Sequence, residues 1–153
     1  RFNLGVLFWT PVIFILMGLT ADAVTSLSGG YNYFTTEIFQ YIKPLSIFDK
    51  FAALAPMAIL YGLLNGFYEE FCFLGLLTCV EDKYKWQALA YSTLVRISFH
   101  TYQGMLWATV IGVVFGLMYY FFYKYKVKNL LPFFLIHALA DMFGSGFIYL
   151  ICA

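Results

Sequence analysis

Of 153 residues, 63% are hydrophobic, 22% aromatic and 11% charged, and the mean hydropathy is +0.80. Nine basic and eight acidic side chains are too few to solvate the surface of a soluble domain of this size, and so many aromatics exclude a disordered chain. A net charge of +1 with no basic run leaves nothing for a nucleic-acid partner to grip, so the composition is that of an all-α, polytopic transmembrane helical bundle whose solvent is the lipid bilayer.

A helix crossing a bilayer needs about 20 mostly apolar residues, and about five segments meet or approach that. The first is predicted over residues 4–23. A polar connection rich in Gly and Tyr follows over 24–50, with 37–42 expected to form a short amphipathic helix in the interface. The apolar stretch 51–80 is too long for one straight span, so a tilt, or a break near Pro56 or the Asn65-Gly66 pair, is expected. The third span runs from residue 86 past His100 to about 104, the fourth over 105–123 and the fifth over 130–151. Because the chain starts at Arg1 and turns apolar at once, it reads as a fragment or processed product of a larger bundle, with helices upstream.

Arg1, Lys83, Lys85, Lys124, Lys126 and Lys128 fall on one side of the membrane, against Lys43 and Lys50 on the other. That excess predicts a cytoplasmic N-terminus, and the short loops fit a prokaryotic plasma membrane. Cys72 and Cys79, seven apart in apolar sequence, read as small core residues on one helix face, and Cys152 has no evident partner. Tyr68, Tyr102 and Tyr119 read as packing or interfacial aromatics.

Six ionisable side chains lie inside predicted spans: Glu69, Glu70, Arg96, His100, His137 and Asp141. An ionised Asp or Arg at a helix centre costs about 2.5–3.5 kcal/mol on the insertion scale, so such groups face the bundle interior and mark working sites. Arg96 and His100 are four apart, as are His137 and Asp141, and each pair shares a helix face. At about 1.5 Å per residue, the depths are about 15 Å for Glu70 and Arg96, about 11 Å for His137, about 17 Å for Asp141 and about 21 Å for His100. Three helices are thus expected to deliver carboxylates, a guanidinium and both imidazoles to one layer.

The strings Glu69-Glu70-Phe71-Cys72-Phe73-Leu74-Gly75, Ser98-Phe99-His100 and His137-Ala138-Leu139-Ala140-Asp141, in that order, resemble the CPBP family of intramembrane proteases. That family includes the type II CAAX prenyl endopeptidases and the bacterial Abi proteins linked to bacteriocin self-immunity. The resemblance covers about residues 51–151. It implies a catalytic helical core over 51–153, preceded over 1–50 by a first transmembrane helix and an interfacial connection. The family pattern has Arg four residues after the second Glu, Phe four before the first His, and Asn four after the second His. Here those positions hold Leu74, Arg96 and Asp141, and Arg96 is expected to supply the missing cation from the neighbouring helix.

The resemblance implies a glutamate-type endopeptidase acting on a peptide or prenylated peptide with no cofactor. The catalytic set is then expected to be Glu69, Glu70, His100, His137 and Asp141. In it Glu69 with His100 activates a water, Glu70 titrates as a coupled unit with Glu69, His137 with Asp141 donates to the oxyanion, and Arg96 supports them. A zinc site built from the same His and carboxylates is the alternative chemistry, although no HExxH pattern is present. A catalytically inactive scaffold or bacteriocin-immunity protein binding a peptide in the same cavity is the alternative function. A proton-coupled transporter is a third reading, against which neither duplicated halves nor paired broken helices appear.

Overall fold

The computed structural model describes residues 2–28, 46–144, 146 and 150, and among these the chain is helical with no strand. The first helix, α1 (Leu4–Ser28), is 25 residues long and runs five residues beyond the expected end. Its buried positions Ile13, Met17 and Ala21 recur every four residues and form one stripe against the rest of the chain. The interfacial helix expected over 37–42 lies outside the described residues.

After the short α2 (Ile47–Ala52), the chain restarts as α3 (Pro56–Glu70). The expected break is at Pro56: proline lacks an N–H and fits the first helical position, while Ala55 before it is extended. At Asn65-Gly66 the helix continues unbroken. Beyond Glu70 it passes into a π-helical run, Phe71–Leu76, before ending. The wider turn shifts the helical register after Glu70, which corrects the reading of the cysteines: Cys72 is half-buried and Cys79 exposed, rather than both in the core. Cys152 is outside the described residues.

Helix α4 (Lys85–His100) ends in a 3-10 turn, Thr101–Gln103, and the chain reverses at Gly104, whose φ of +90° favours glycine. The next rod, Met105–Val127, is continuous over 23 residues. It comprises α5 (Met105–Thr109), a π-helical run (Val110–Phe115), α6 (Gly116–Phe122) and a second π-helical run (Tyr123–Val127). The next helix is α7 (Leu131–Phe143), stopped at Gly144 by a φ of +80°, short of the expected end at 151; beyond it, among the described residues, Leu150 is again helical.

Among the described residues, only α1 and the Met105–Val127 rod are both long and apolar enough to cross a bilayer, against the five spans expected. The difference has two causes. Gly144 cuts α7 to 13 residues, and polar side chains interrupt α4 and the second half of α3. In the two long rods only 28% and 33% of the most apolar stretch is buried, so most of that surface faces outward, as lipid-exposed helices require.

α3 packs chiefly on α7, α7 also on α1, and α4 on the Val110–Phe115 run. Glycine sets the two closest approaches. A Cβ on Gly66 would stand 2.8 Å from the Phe134 carbonyl oxygen and 3.2 Å from His137 Cβ. A Cβ on Gly112 would collide with Ile97 Cγ1 and stand 3.1 Å from its backbone nitrogen. Gly62 and Gly116, four residues from these, extend each stripe along its helix.

Candidate active site

Helical spacing decides which side chains meet. Asn65 and Glu69 are four apart on α3 and share a face, whereas Glu70, one residue on, points about 100° away. The contact at Gly66 brings His137 alongside both glutamates. Gly112 and Gly116 let α4 lie close to the Met105–Val127 rod, with the Arg96 side chain over Gly116. Ser92 on α4 donates to the Phe73 carbonyl at 3.0 Å and ties α4 to the π-helical run next to the glutamates.

All six expected residues converge on one cluster, graded from inside to outside. Glu70 is fully buried, and both its oxygens are engaged: Arg96 Nη2 donates to Oε2 at 3.0 Å and His137 Nδ1 to Oε1 at 2.8 Å. The Arg96 guanidinium also lies over the Phe73 ring, 5.0 Å from its centroid. Arg96 thus reaches Glu70 from the neighbouring helix, while Leu74, four residues after Glu70, packs in the apolar core. A carboxylate so deeply buried requires this full set of partners.

Glu69 is different. Its Oε1 accepts from Asn65 Nδ2 at 3.3 Å, but Oε2, although buried, makes no hydrogen bond with any described residue. That oxygen faces two imidazoles, 4.0 Å from His100 Nε2 and 3.9 Å from His137 Nε2. His100 Nδ1 is 2.8 Å from the Arg96 carbonyl oxygen. A carbonyl only accepts, so Nδ1 carries the hydrogen and Nε2 of a neutral ring is bare toward Glu69. By the same reasoning the Nδ1 of His137 carries its hydrogen toward Glu70.

Asp141 is the most exposed of the set. Its Oδ1 is 3.7 Å from His137 Nε2, beyond hydrogen-bond reach, so Glu70 makes the short orienting contact with His137. Asp141 Oδ2 instead accepts from Asn65 Nδ2 at 2.9 Å. Asn65 was not among the residues singled out by their charge; its signal was its position one turn before Glu69. Of the three tyrosines, Tyr119 is buried with its hydroxyl on Met17 Sδ at 3.3 Å, whereas Tyr68 and Tyr102 are exposed.

The cluster opens into a cavity of about 690 Å³, whose walls include Glu69, His100, His137 and Asp141 and the aromatics Tyr61, Tyr68, Phe99 and Tyr102. The volume suits an extended peptide of a few residues. Among the described residues, no three His, Cys, Asp or Glu side chains are set to hold a metal ion. The 3.9 and 4.0 Å separations around Glu69 exceed the edge of about 3.4 Å expected between ligands of tetrahedral zinc.

The sequence profile of the type II CAAX prenyl endopeptidase Rce1-like family matches residues 51–143, well over half of the chain and every residue of this cluster. The chain belongs to that family. Comparison with curated proteins and with solved structures gives no significant match. The family is named for an endopeptidase, so its members' substrates are peptides, and together with the apolar helices it points to an integral membrane protease. The match names the CAAX-endopeptidase branch and not the bacteriocin-immunity branch.

Proposed function

We propose that this chain is a polytopic intramembrane endopeptidase of the CAAX type, hydrolysing a peptide bond with a Glu69-activated water and no metal. The observation that carries the reading is the buried, unbonded Oε2 of Glu69 facing both imidazole Nε2 atoms at 4.0 and 3.9 Å. A water about 2.8 Å from Oε2 and from a facing Nε2 spans separations of this size. For one water to serve both imidazoles and Oε2, its two hydrogens face three acceptors, so in this reading one imidazole carries a second proton. His137 is that ring, because Glu70, Glu69 and Asp141 lie 2.8, 3.9 and 3.7 Å from its nitrogens.

The reaction then runs in order. Glu69 takes a proton from the water as its oxygen attacks the peptide carbonyl carbon, with the bare Nε2 of His100 holding the other hydrogen. The Nε2–H of His137 donates to the developing oxyanion, its charge balanced by Glu70, which Arg96 holds in place. Collapse breaks the C–N bond, and Glu69 returns the proton to the leaving nitrogen, giving a carboxylic acid and an amine; the remaining water hydrogen then passes from the acid to the amine, leaving a carboxylate and an ammonium. A cavity within the bilayer suits a prenylated tail whose lipid stays in the membrane while its peptide reaches the carboxylates.

The experiment is cleavage of a prenylated CAAX peptide by purified protein in detergent, compared with Glu69→Gln. We expect cleavage by the wild type and its loss in the variant, with the helical circular-dichroism signal retained. A Glu69→Gln protein that cleaves at the wild-type rate would sink the assignment.

A further inference from the structure

We propose that Asn65 is a positioning residue for the reaction, holding Glu69 so that only one of its oxygens faces the water. This rests on the protease reading above and adds to it a residue outside the charged set. Both neighbours of the Asn65 amide, Glu69 Oε1 at 3.3 Å and Asp141 Oδ2 at 2.9 Å, are carboxylate oxygens that accept only. The amide must therefore turn its NH2 toward them, one hydrogen to each, as a two-pronged donor between two acids.

The consequence lies in what remains free. With Oε1 tied to Asn65, Glu69 presents Oε2 toward His100 and His137, and that oxygen alone is buried and unbonded. Without the amide, nothing described on the Oε1 side holds the carboxylate, and it can rotate about its last torsion. The donor also separates two like charges, Glu69 and Asp141, that flank His137 from two different helices. A plain tether between α3 and α7 would need only the bond to Asp141. The second bond, back along the same helix to Glu69, gives Asn65 a bearing on the reaction.

The test is steady-state cleavage of a prenylated CAAX peptide by the detergent-purified chain, with melting temperatures measured in parallel. Asn65→Ala is expected to lower kcat about ten- to a hundredfold, the range for losing a hydrogen bond to a charged group, with KM within about twofold. Asn65→Gln keeps the donating amide beside a roomy cavity, and is expected to recover most of that loss. Asp141→Asn leaves the Glu69 bond in place and is expected to retain more activity than Asn65→Ala. An Asn65→Ala protein with wild-type kcat, or one whose rate falls only as far as its folded fraction, overturns the proposal. So does Asn65→Gln behaving no better than Asn65→Ala. A wild-type chain that cleaves nothing overturns the protease reading itself, and the inference with it.

Discussion

Glu69 and Glu70 are adjacent in sequence and have opposite surroundings. Glu70 is sealed in the interior with both oxygens bonded, to a guanidinium and to an imidazole. Glu69 borders the cavity with one oxygen bonded and one bare. A rotation of about 100° between neighbours on a helix is enough to make one carboxylate a fixed counter-charge and to leave the other with an unbonded oxygen at the cavity. The pair shows how a membrane helix hosts two acids at once: one is neutralised by its neighbours, and the second borders the cavity.

This contrast can be broken from either side. The largest effect expected is on rate: Glu69→Gln lowers kcat by about 10²–10⁴, the usual contribution of a general base, with the melting temperature near that of the wild type. Glu70→Gln reverses the pattern, because it leaves Arg96 buried without its counter-charge. Its expected cost is about 3–5 kcal/mol of stability, read as a lowered melting point in detergent. If Glu70→Gln melts normally while losing all activity, the division of labour between the two acids is wrong.

Smaller effects sharpen the same comparison. Gly66→Ala places a methyl against the Phe134 carbonyl and His137, and overpacking of this kind costs about 1–3 kcal/mol. It is also expected to lower kcat by displacing His137 relative to both glutamates, which paired measurements of melting and cleavage will show. The smallest effect expected is none: a strong chelator leaves cleavage unchanged, and elemental analysis of active protein finds no stoichiometric metal. Inhibition that added zinc reverses would favour the metal chemistry instead.

Much of the cluster was legible because charge is conspicuous in an apolar chain. Glu69, Glu70, Arg96, His100, His137 and Asp141 stood out as ionisable groups in spans, and their four-residue spacing gave the shared faces. Asn65 escaped notice because a neutral amide carries no such penalty. The Asn65-Gly66 pair was read as a possible break, since glycine weakens an isolated helix, yet in contact with α7 the missing side chain is what allows the packing. The π-helical runs were illegible for another reason: their wider turn has no residue pattern of its own, and it carried Cys79 out of the core. The end of α7 turned on one glycine whose positive φ depends on surroundings rather than on type alone.

The touching backbones at Gly66 have a further consequence. Two rods in contact there can neither slide nor roll without collision, so the acids on one and the imidazole on the other keep a fixed spacing before any peptide arrives. On the proposed protease reading, selection among peptides then falls to the aromatic walls formed by Tyr61, Tyr68, Phe99 and Tyr102. Substituting those side chains is then expected to change which peptides are cleaved while the spacing between α3 and α7 at Gly66 stays as it is.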